Sequence, residues 1–430
     1  MLAQKQAMAE PNKISHIADR PRSIADFSLY RPVAGHPDWV RLMDEAKELA
    51  AEIRPGLEKP RSVLRDLSRR TRSLGRAGQN WILNRRIHRQ GREDLLPSLF
   101  LWTALRTCNF TCTYCDDHMG NKYPELPNEG VLNTEQAIRL LEIMATRASA
   151  LYFAGGEPTI RKDLPELTRA ARDLNYYPII VNSNGSLLHR QLKKEAWSSW
   201  LADMDNIIIS LDSLDLKSLS KMWVYRKPED VLRNLLMLRE LSDEMRFKLM
   251  VNVVVQPDTV EQASHVVDLV NDLGIWLNVV PVNTGAFVDK TLADDPAYIA
   301  LAEKILARKK AGYPVTGSLR MNRRLLYSED LTCRNSLKPH VDYDGRLLWP
   351  CKATVNVKPK YINVLDFKDV DSLYHYATQQ IDPAGFKGTG ENQCGGNCNW
   401  AQNYATDSYA HGLGHPTAFI REVIEFALQR

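Results

Sequence analysis

The sequence predicts an α/β fold: a partial (β/α)6 barrel of the TIM type, with a helical N-terminal extension and a small C-terminal α+β domain. Two observations support this prediction. Between residues 96 and 312, short apolar runs of strand length alternate with longer stretches of helical periodicity, as in parallel strands joined by helices. The composition, 44% hydrophobic and 25% charged, is that of a globular chain able to bury a core.

Six strands and several intervening helices can be assigned in this central segment. The predicted strands are Leu99–Leu105, Ala150–Phe153, Pro178–Asn182, Asn206–Leu211, Leu249–Val255 and Trp276–Val280. The predicted helices are Glu135–Ala148, Pro228–Leu241, Val260–Leu273 and Pro296–Lys310. Pro228 suits a first helical turn and Gly274 suits a helix C-terminus. We therefore predict three domains, 1–95, 96–312 and 313–430, of which the last ends in a helix near Thr417–Leu428.

The N-terminal domain is basic. Residues 1–35 are interpreted as a poorly ordered or wrapping arm, and Asp38–Ile53 as a helix. From Arg54 to Asp94 there are 12 Lys or Arg residues and 4 Asp or Glu residues, whereas the whole chain has a net charge of only +4. A second helix is predicted from Arg61 to Gly75, with arginines on one face and apolar residues on the other: Arg61, Arg65, Arg69, Arg72 and Arg76 against Val63, Leu64, Leu67 and Leu74.

This arginine-rich helix has three interpretations. The arginines form a solvated face while the apolar side packs on the barrel, or Arg61–Arg76 lies on an anionic membrane surface, or it binds an acidic partner such as a leader peptide. Nucleic acid is not expected, because aromatic residues do not alternate with the arginines. Met1–Glu10 lacks the apolar core of a secretory signal, so we expect a cytoplasmic location, with membrane association as an alternative.

Three of the seven cysteines lie close together directly after the first predicted strand. Cys108, Cys112 and Cys115 follow a C-x3-C-x2-C spacing at what would be the catalytic end of a barrel. Three thiolates on one loop can hold three irons of a [4Fe–4S] cluster and leave the fourth iron open. The alternative is a zinc site completed by His118.

The cysteine spacing with Tyr114 resembles the signature of the radical SAM superfamily, C-x3-C-x-aromatic-C. The resemblance extends to Gly155, Gly156 and Glu157, which match the family's GGEP motif. It implies that Cys108, Cys112 and Cys115 ligate the catalytic cluster and that Glu157 receives the methionine ammonium of S-adenosylmethionine. By themselves, the two glycines are equally compatible with a turn.

Further cofactor contacts are implied at the ends of later strands. Asn182 and Ser183 match the family's small polar turn near the cofactor, and Ser210 and Asp212 resemble another contacting position. Plain helix capping is the alternative for each of these polar residues. Val253 could supply an apolar wall for adenine, or it could be barrel core.

The resemblance also implies the chemistry. The reduced cluster would cleave S-adenosylmethionine to a 5′-deoxyadenosyl radical, which removes a hydrogen atom from the substrate. An electron donor such as flavodoxin or ferredoxin would be required. The sequence does not identify the substrate, which could be a small molecule, a lipid or a peptide.

The remaining cysteines, Cys333, Cys351, Cys394 and Cys398, form a second group. A hairpin around Asp344–Gly345 separates the first two, and two glycines lie within the last pair. Four cysteines can enclose a structural zinc ion. The arrangement resembles the twitch domain, a shortened relative of the SPASM domain, and this resemblance implies one auxiliary [4Fe–4S] cluster, two clusters in all.

Taken together, the sequence predicts a radical SAM oxidoreductase or bond-forming enzyme acting on a small molecule or lipid. The first alternative is a maturase of a ribosomally made peptide, although we find no β-rich segment for a leader-binding domain. The non-enzymatic alternatives are an iron–sulfur electron carrier and a zinc-stabilised binding protein.

Overall fold

The computed structural model describes residues 33–115, 123, 130–284, 287–331, 333–352, 361–389, 393–396, 398–418 and 420. Most of the predicted N-terminal arm, His118 and most of the predicted helix Thr417–Leu428 lie outside the described residues. Among the described residues, no helix has the length and apolarity needed to cross a membrane.

Six parallel strands form the centre of the fold, and each pairs with the next in the chain. They are β1 (Leu99–Leu105), β2 (Ala150–Gly155), β3 (Ile179–Ser183), β4 (Asn206–Ser210), β5 (Lys248–Val255) and β6 (Trp276–Pro281). Two short pairs follow, β7 (Asn283–Thr284) with β8 (Phe287–Val288) and β9 (His340–Val341) with β10 (Leu347–Leu348). The partial barrel is confirmed, and each predicted barrel strand lies within two residues of its observed bounds.

Helices connect the strands and cover the outside of the sheet. Before the barrel come α1 (Trp39–Ile53) and α2 (Val63–Arg89). Within it are α3 (Thr134–Ala145), α4 (Leu164–Asp173), α5 (Leu188–Gln191), α6 (Trp200–Asp203), α7 (Leu216–Trp223), α8 (Pro228–Met245) and α9 (Val260–Asp272). After it come α10 (Lys290–Ala293), α11 (Pro296–Lys310), α12 (Leu319–Leu326), α13 (Val370–Gln380) and α14 (Tyr404–Gly414).

Strand alternation separates a helix-facing side from the barrel interior. Val181, Ile209 and Val251 occupy the same side of adjacent strands and are fully buried against the helices. Their neighbours Asn182 and Asn252 point the other way and are only partly buried. The interior therefore offers polar groups, while the outer side of the sheet is an apolar core.

The hairpin in the C-terminal segment belongs to the same sheet as the barrel. β9 pairs in parallel with β1, so the sheet order is β10-β9-β1-β2-β3-β4-β5-β6. Arg106, directly after β1, forms a buried ion pair with Asp342, directly after β9. The segment predicted as 313–430 is thus joined to the first barrel strand by backbone pairing and by a buried charge pair.

The first interpretation of the arginine-rich helix, in which its apolar side packs on the barrel, is wrong. The apolar residues Val63, Leu64, Leu67 and Leu74 are 58–79% exposed, while Arg69 is only 5% exposed. The inward face of α2 consists of polar donors that meet backbone carbonyls near the amino ends of the strands: Arg69 on Tyr176, Ser73 on Ser149, Arg76 on Ala145, Asn80 on Pro97 and Asn84 on Leu96. These carbonyls need partners when buried, and apolar side chains could not supply them.

The predicted end of this helix at Gly75 is also wrong, since α2 continues to Arg89. Two glycines, Gly75 and Gly78, are exposed with nothing packed at the Cβ position. The helix passes through them because Asn80 and Asn84, further along, are fixed to the barrel. Tertiary anchoring here outweighs the low helix propensity of glycine.

Candidate metal and cofactor site

The first cysteine group occupies a loop held on both sides by backbone hydrogen bonds. The loop leaves the carboxyl end of β1 and turns at Cys112, whose carbonyl accepts from the Cys115 amide at 3.2 Å. The amide of Thr113 donates to the carbonyl of Met222 at 2.8 Å, at the end of α7. The amide of Phe110 donates to Cys108 Sγ at 3.4 Å. The three thiols are therefore presented together by a fixed backbone.

Burial and the neighbouring negative groups around these thiols favour binding of a cation. Burial, with smaller contributions from the nearby Glu157 and Cys115, raises the pKa of Cys108 to about 12. Burial also raises the pKa of Cys112, with contributions from Cys115 and Asp212. Without a metal the loop therefore holds neutral thiols. Three partly exposed thiols beside buried carboxylates fit the positively charged core of an iron–sulfur cluster, which would stabilise them as thiolates, and a cationic ligand.

The Gly155–Gly156 pair lets β2 approach the start of the cysteine loop. A Cβ atom on Gly156 would lie 2.2 Å from the carbonyl oxygen of Thr107, and one on Gly155 would lie 2.2 Å from that of Leu105. Gly155 also has a φ of 135°, which disfavours other residues. The amide of Glu157 donates to Thr107 O at 2.8 Å. The glycines thus serve chain–chain contact, a role the sequence analysis did not assign to them.

Glu157 is a fully buried carboxylate that receives hydrogen bonds only from neutral groups. Thr159 donates through its amide at 2.9 Å and through its hydroxyl, Ser183 Oγ donates at 2.8 Å, and the Asn184 amide donates at 2.7 Å. Burial raises the pKa of Glu157, and these hydrogen bonds oppose the rise. Within the described residues no salt bridge involves it. The site therefore suits an added cation such as an ammonium group.

Asn184 links the carboxylate of Glu157 to the cysteine loop. It was not among the predicted site residues. Its side-chain amide donates to Asn109 Oδ1 at 2.9 Å and approaches Cys108 Sγ at 3.9 Å. Ser183, which was predicted, contacts Glu157. The predicted Asn182 lies one position earlier, and its buried Oδ1 has no hydrogen-bond partner among the described residues. Asn182 Oδ1 is thus available to a ligand in the barrel interior.

Asp212 holds the far side of the cysteine loop in place. It is fully buried and accepts hydrogen bonds from Tyr114 Oη, from Trp223 Nε1 at 3.1 Å and from the Val254 amide at 2.9 Å. Burial raises its pKa, and these donors oppose the rise. The structure thus brings the predicted Tyr114 and Asp212 together, with a positioning role for Asp212.

Val253, a predicted contact of the cofactor's adenine, does not face the barrel interior. Its side chain is fully buried and shares the helix-facing side with Val251 and Val255, so it cannot form an interior wall. Val254, at the next position, faces the interior instead. This placement fits the alternative interpretation of Val253 as barrel core, because strand parity puts adjacent residues on opposite sides.

A row of uncharged polar residues crosses the barrel interior beside the predicted Ser210. Ser210, Asn252 and Asn278 are in register on adjacent strands. Asn278 Nδ2 donates to Asn252 Oδ1 at 2.6 Å, and Thr316 Oγ1 donates to Asn278 Oδ1 at 3.0 Å. Asn252, Asn278 and Thr316 were not predicted, although alternation along β5 could have marked Asn252 as a residue facing the interior.

The second cysteine group lies towards the amino-terminal end of β1. Cys333 precedes β9, and Cys351 comes three residues after Leu348, which pairs with His340 in β9. Asn335 Nδ2 donates to Cys351 Sγ, and the carbonyl of Leu337 accepts from the amide of Ser98, one residue before β1. Because Cys108 follows the carboxyl end of β1, the two cysteine groups occupy opposite ends of this strand.

Cys394 and Cys398 belong to the same site as Cys333. The proximity of Cys398 and Cys394 adds to the effect of burial and raises the pKa of Cys333 to about 12, while Lys387 lowers it. Lys387 Nζ donates to Cys333 O at 2.5 Å and pairs with Glu93. Within the described residues, neither cysteine group has the spacing of ligands to a single metal ion.

Comparison with known proteins identifies the central segment. Residues 102–270 match the family model of the radical SAM superfamily. A probable GTP 3′,8-cyclase of Saccharolobus islandicus is 24% identical over 61% of this chain and 84% of its own. Fe-coproporphyrin III synthase of Methanosarcina barkeri is 38% identical over 107 residues, and the match spans only 25% of that relative's length.

A solved structure shares the fold. Streptococcus suis SuiB bound to S-adenosylmethionine superimposes with a TM-score of 0.53 and 18% identity, covering 70% of each chain. At this level of identity the likeness concerns the fold.

Proposed function

Because residues 102–270 are a radical SAM domain, we propose that the chain catalyses a net two-electron oxidation or a bond-forming reaction on a small polar molecule. The family implies a [4Fe–4S] cluster and S-adenosylmethionine. When bound, they supply hydrogen-atom abstraction through one-electron cleavage of the cofactor's C–S bond. The C-terminal cysteine-rich segment is consistent with an auxiliary cluster domain, and we propose that it holds one [4Fe–4S] cluster.

The observation that carries the proposal is the pairing of three thiols with a buried carboxylate that has only neutral partners. Cys108, Cys112 and Cys115 would ligate three irons and leave the fourth for the cofactor. Glu157 would receive the cofactor's ammonium group, with Thr159 and Ser183 fixing the carboxylate. Asp212 would keep the loop in register by holding Tyr114.

The positions of the two cysteine groups support an electron-accepting role for the second. They lie at opposite ends of a seven-residue strand, about 20 Å along β1, with the barrel interior beside it. One electron from an external donor such as flavodoxin or ferredoxin starts the reaction. A two-electron oxidation would remove one hydrogen atom from the substrate, which the bound cofactor would accept, and then one electron and one proton. Cys333, Cys351, Cys394 and Cys398 would hold the group that accepts this electron. The substrate is thereby oxidised by two electrons.

The interior polar row supports a small hydrogen-bonding substrate. Asn252, Asn278 and Thr316 offer neutral donors and acceptors, which suit hydroxyl or amide groups better than an acyl chain. A lipid substrate is therefore less well supported than a polar molecule. The likeness to SuiB carries no information about a peptide substrate, because it shows the fold alone.

Two cysteine variants test the proposal and serve as controls for each other. Iron, acid-labile sulfide and zinc are measured in anaerobically reconstituted protein, with 5′-deoxyadenosine measured after addition of a reductant and S-adenosylmethionine. We expect about eight irons in the wild type and about four in each variant. Cys112→Ala should abolish 5′-deoxyadenosine formation, and Cys394→Ala should retain it.

Two results would contradict the assignment. Retained cofactor cleavage in Cys112→Ala would overturn the catalytic site. About four irons with one zinc in the wild type would leave the radical chemistry intact and make the C-terminal site structural, which would remove the proposed electron acceptor.

A further inference from the structure

The outward face of α2 carries an unusual concentration of exposed apolar side chains. The described part of the chain exposes thirteen large hydrophobic residues, and five of them lie on this one helix. They are Val63 at 64%, Leu64 at 79%, Leu67 at 58%, Leu74 at 63% and Ile82 at 52% exposure. Scattered single residues of this kind are ordinary, but five on one helix form a patch.

The same helix is strongly basic, and none of its exposed residues is acidic. Residues 63–89 contain eight arginines and a single acidic residue, Asp66. Asp66 is partly buried and pairs with Arg69, Arg70 and Arg172. Arg65 and Arg72 are exposed but lie about two and a half helical turns from Leu74 and Val63, respectively, on the opposite side of α2. Arg86 and Arg89 are exposed about one and two turns after Ile82, on the same side as the apolar patch, with no opposing charge from the helix itself.

The helix cannot rotate to bury its apolar residues. Its inward face is fixed by side-chain hydrogen bonds, including Ser73 Oγ to Ser149 O at 2.9 Å and Asn80 Nδ2 to Pro97 O at 2.9 Å. Arg69 is bound to the buried Asp205. Turning the apolar face inward would leave these buried groups without partners.

We propose that this outward face of α2 binds the surface of an anionic membrane. A helix lying parallel to the bilayer can insert its leucines and isoleucine among the acyl chains, while arginines bind lipid phosphates at the same depth. Positive charge on an otherwise apolar surface is complementary to an anionic lipid surface and unsuited to a buried protein interface, where each arginine would need its own acidic partner.

The fold determines the orientation that such binding produces. α2 contacts the residues that precede β1, β2 and β3, at the amino ends of the strands. The loop of Cys108 follows the carboxyl end of β1. A bilayer bound by α2 would thus lie beneath the barrel, and the candidate site would face the aqueous phase. The surface is separate from that site, so its test does not depend on the reaction proposed above.

Vesicle flotation of the full-length, cluster-loaded chain tests the inference. The wild type should float with phosphatidylcholine vesicles that contain roughly one third phosphatidylglycerol, and much less with phosphatidylcholine alone. Leu64→Gln/Leu67→Gln should weaken binding about tenfold or more, and so should Arg86→Gln/Arg89→Gln, with the charge variant also losing the salt dependence. Val40→Gln is the matched control, because Val40 is 68% exposed on α1.

The outcomes separate the membrane from other partners. Wild-type protein that does not float with anionic vesicles would overturn the proposal and leave an acidic protein as the alternative partner. Equal loss of binding in the α2 variants and in Val40→Gln would overturn it as well, because the effect would not be specific to α2. Thermal denaturation of each variant checks that the fold is retained.

Discussion

Glu157 is a buried carboxylate surrounded by neutral donors. A buried charge normally has a basic partner, and Arg161 and Asp163 nearby form such a pair. Glu157 has instead Thr159, Ser183 and Asn184. This arrangement keeps the carboxylate oriented and leaves its charge for a ligand that arrives from solution.

Replacing this charge should weaken cofactor binding without unfolding the site. In Glu157→Gln the amide keeps the shape of the side chain but loses the attraction for an ammonium group. A charge-assisted hydrogen bond is worth about 1.5–3 kcal/mol, so the Kd for S-adenosylmethionine should rise about 10- to 100-fold. Equilibrium dialysis against labelled cofactor measures this. Glu166→Gln, at an exposed glutamate on α4, is the control.

The pH dependence of binding gives a second measurement on the same residue. Burial raises the pKa of Glu157, so its neutral form is favoured at a higher pH than for an ordinary glutamate. Binding of an ammonium requires the ionised form, and affinity should therefore fall as the pH is lowered through this raised pKa. In Glu157→Gln this decrease should be absent. The same pH profile in wild type and variant would contradict the role assigned to Glu157.

A further prediction concerns the steric fit at Gly156 rather than charge. A Cβ atom would lie within 2.5 Å of the carbonyls of Arg106 and Thr107, and backbone atoms cannot move aside as a side chain can. Gly156→Ala should displace the start of the cysteine loop, cost about 1–3 kcal/mol and lower the iron content of the first site. Gly78→Ala is the control, with nothing near its Cβ position. Full iron loading in Gly156→Ala would show that the contact is dispensable.

At the scale of elements, α2 shows why periodicity alone misplaced a helix face. The first interpretation of the pattern of arginines opposite leucines was that the leucines pack inward. The surface beneath α2, however, presents backbone carbonyls from the connections between strands, including Ser149 O and Pro97 O. Donors such as Ser73 and Asn80 satisfy these carbonyls. Sequence periodicity reports how hydrophobicity is distributed around a helix, but not which surface the helix will meet.

The inward arginine of α2 should matter for stability far more than an outward one. Arg69 is buried and paired with Asp205, so Arg69→Ala would leave a buried carboxylate without its cation, at a cost of about 3–5 kcal/mol. Arg65→Ala removes the same side chain from the exposed face of the same helix and should change stability by at most about 0.5 kcal/mol. Urea denaturation measures both. Equal effects would mean that the two helix faces are energetically alike.

The barrel elements were predictable because their signals are local. β1 and α11 lie at their predicted bounds, since each is an apolar or amphipathic run with a clear start and end. The parts that failed depend on contacts between distant segments. Asn184 is recognisable only beside Cys108, and the outward direction of Val253 only from the register of β5. The spacing of the cysteines indicated the chemistry of the site from the sequence alone. The contacts that support the site could be recognised only in the folded structure.

At the scale of the whole molecule, ion pairs bind the C-terminal segment to the barrel near both ends of β1. Near the carboxyl end of β1, Arg106 pairs with Asp342. Near its amino end, Glu93 pairs with both Arg334 and Lys387 beside Cys333. The two cysteine groups are therefore held at fixed positions relative to one strand. A fixed separation is what electron transfer across the barrel interior would require.

Lys387 then provides a test of the proposed auxiliary cluster that does not depend on the substrate. Its ammonium group donates to Cys333 O, and its charge lowers the pKa of Cys333 and of Cys398, so it stabilises negative charge at this site. Reduction adds one negative charge to a cluster held by four thiolates. Lys387→Met should therefore lower the reduction potential of the auxiliary cluster, because the reduced state loses more stabilisation than the oxidised state.

Potentiometric titration followed by electron paramagnetic resonance measures that shift in each cluster separately. The signal of the first cluster should be unchanged, since Cys108 lies at the other end of β1. Lys368→Met, at an exposed lysine of the same segment, is the matched control and should shift neither potential. A second cluster whose potential is the same in Lys387→Met and in wild type would show that Lys387 does not tune it. Absence of a second cluster would instead overturn the electron-accepting role itself.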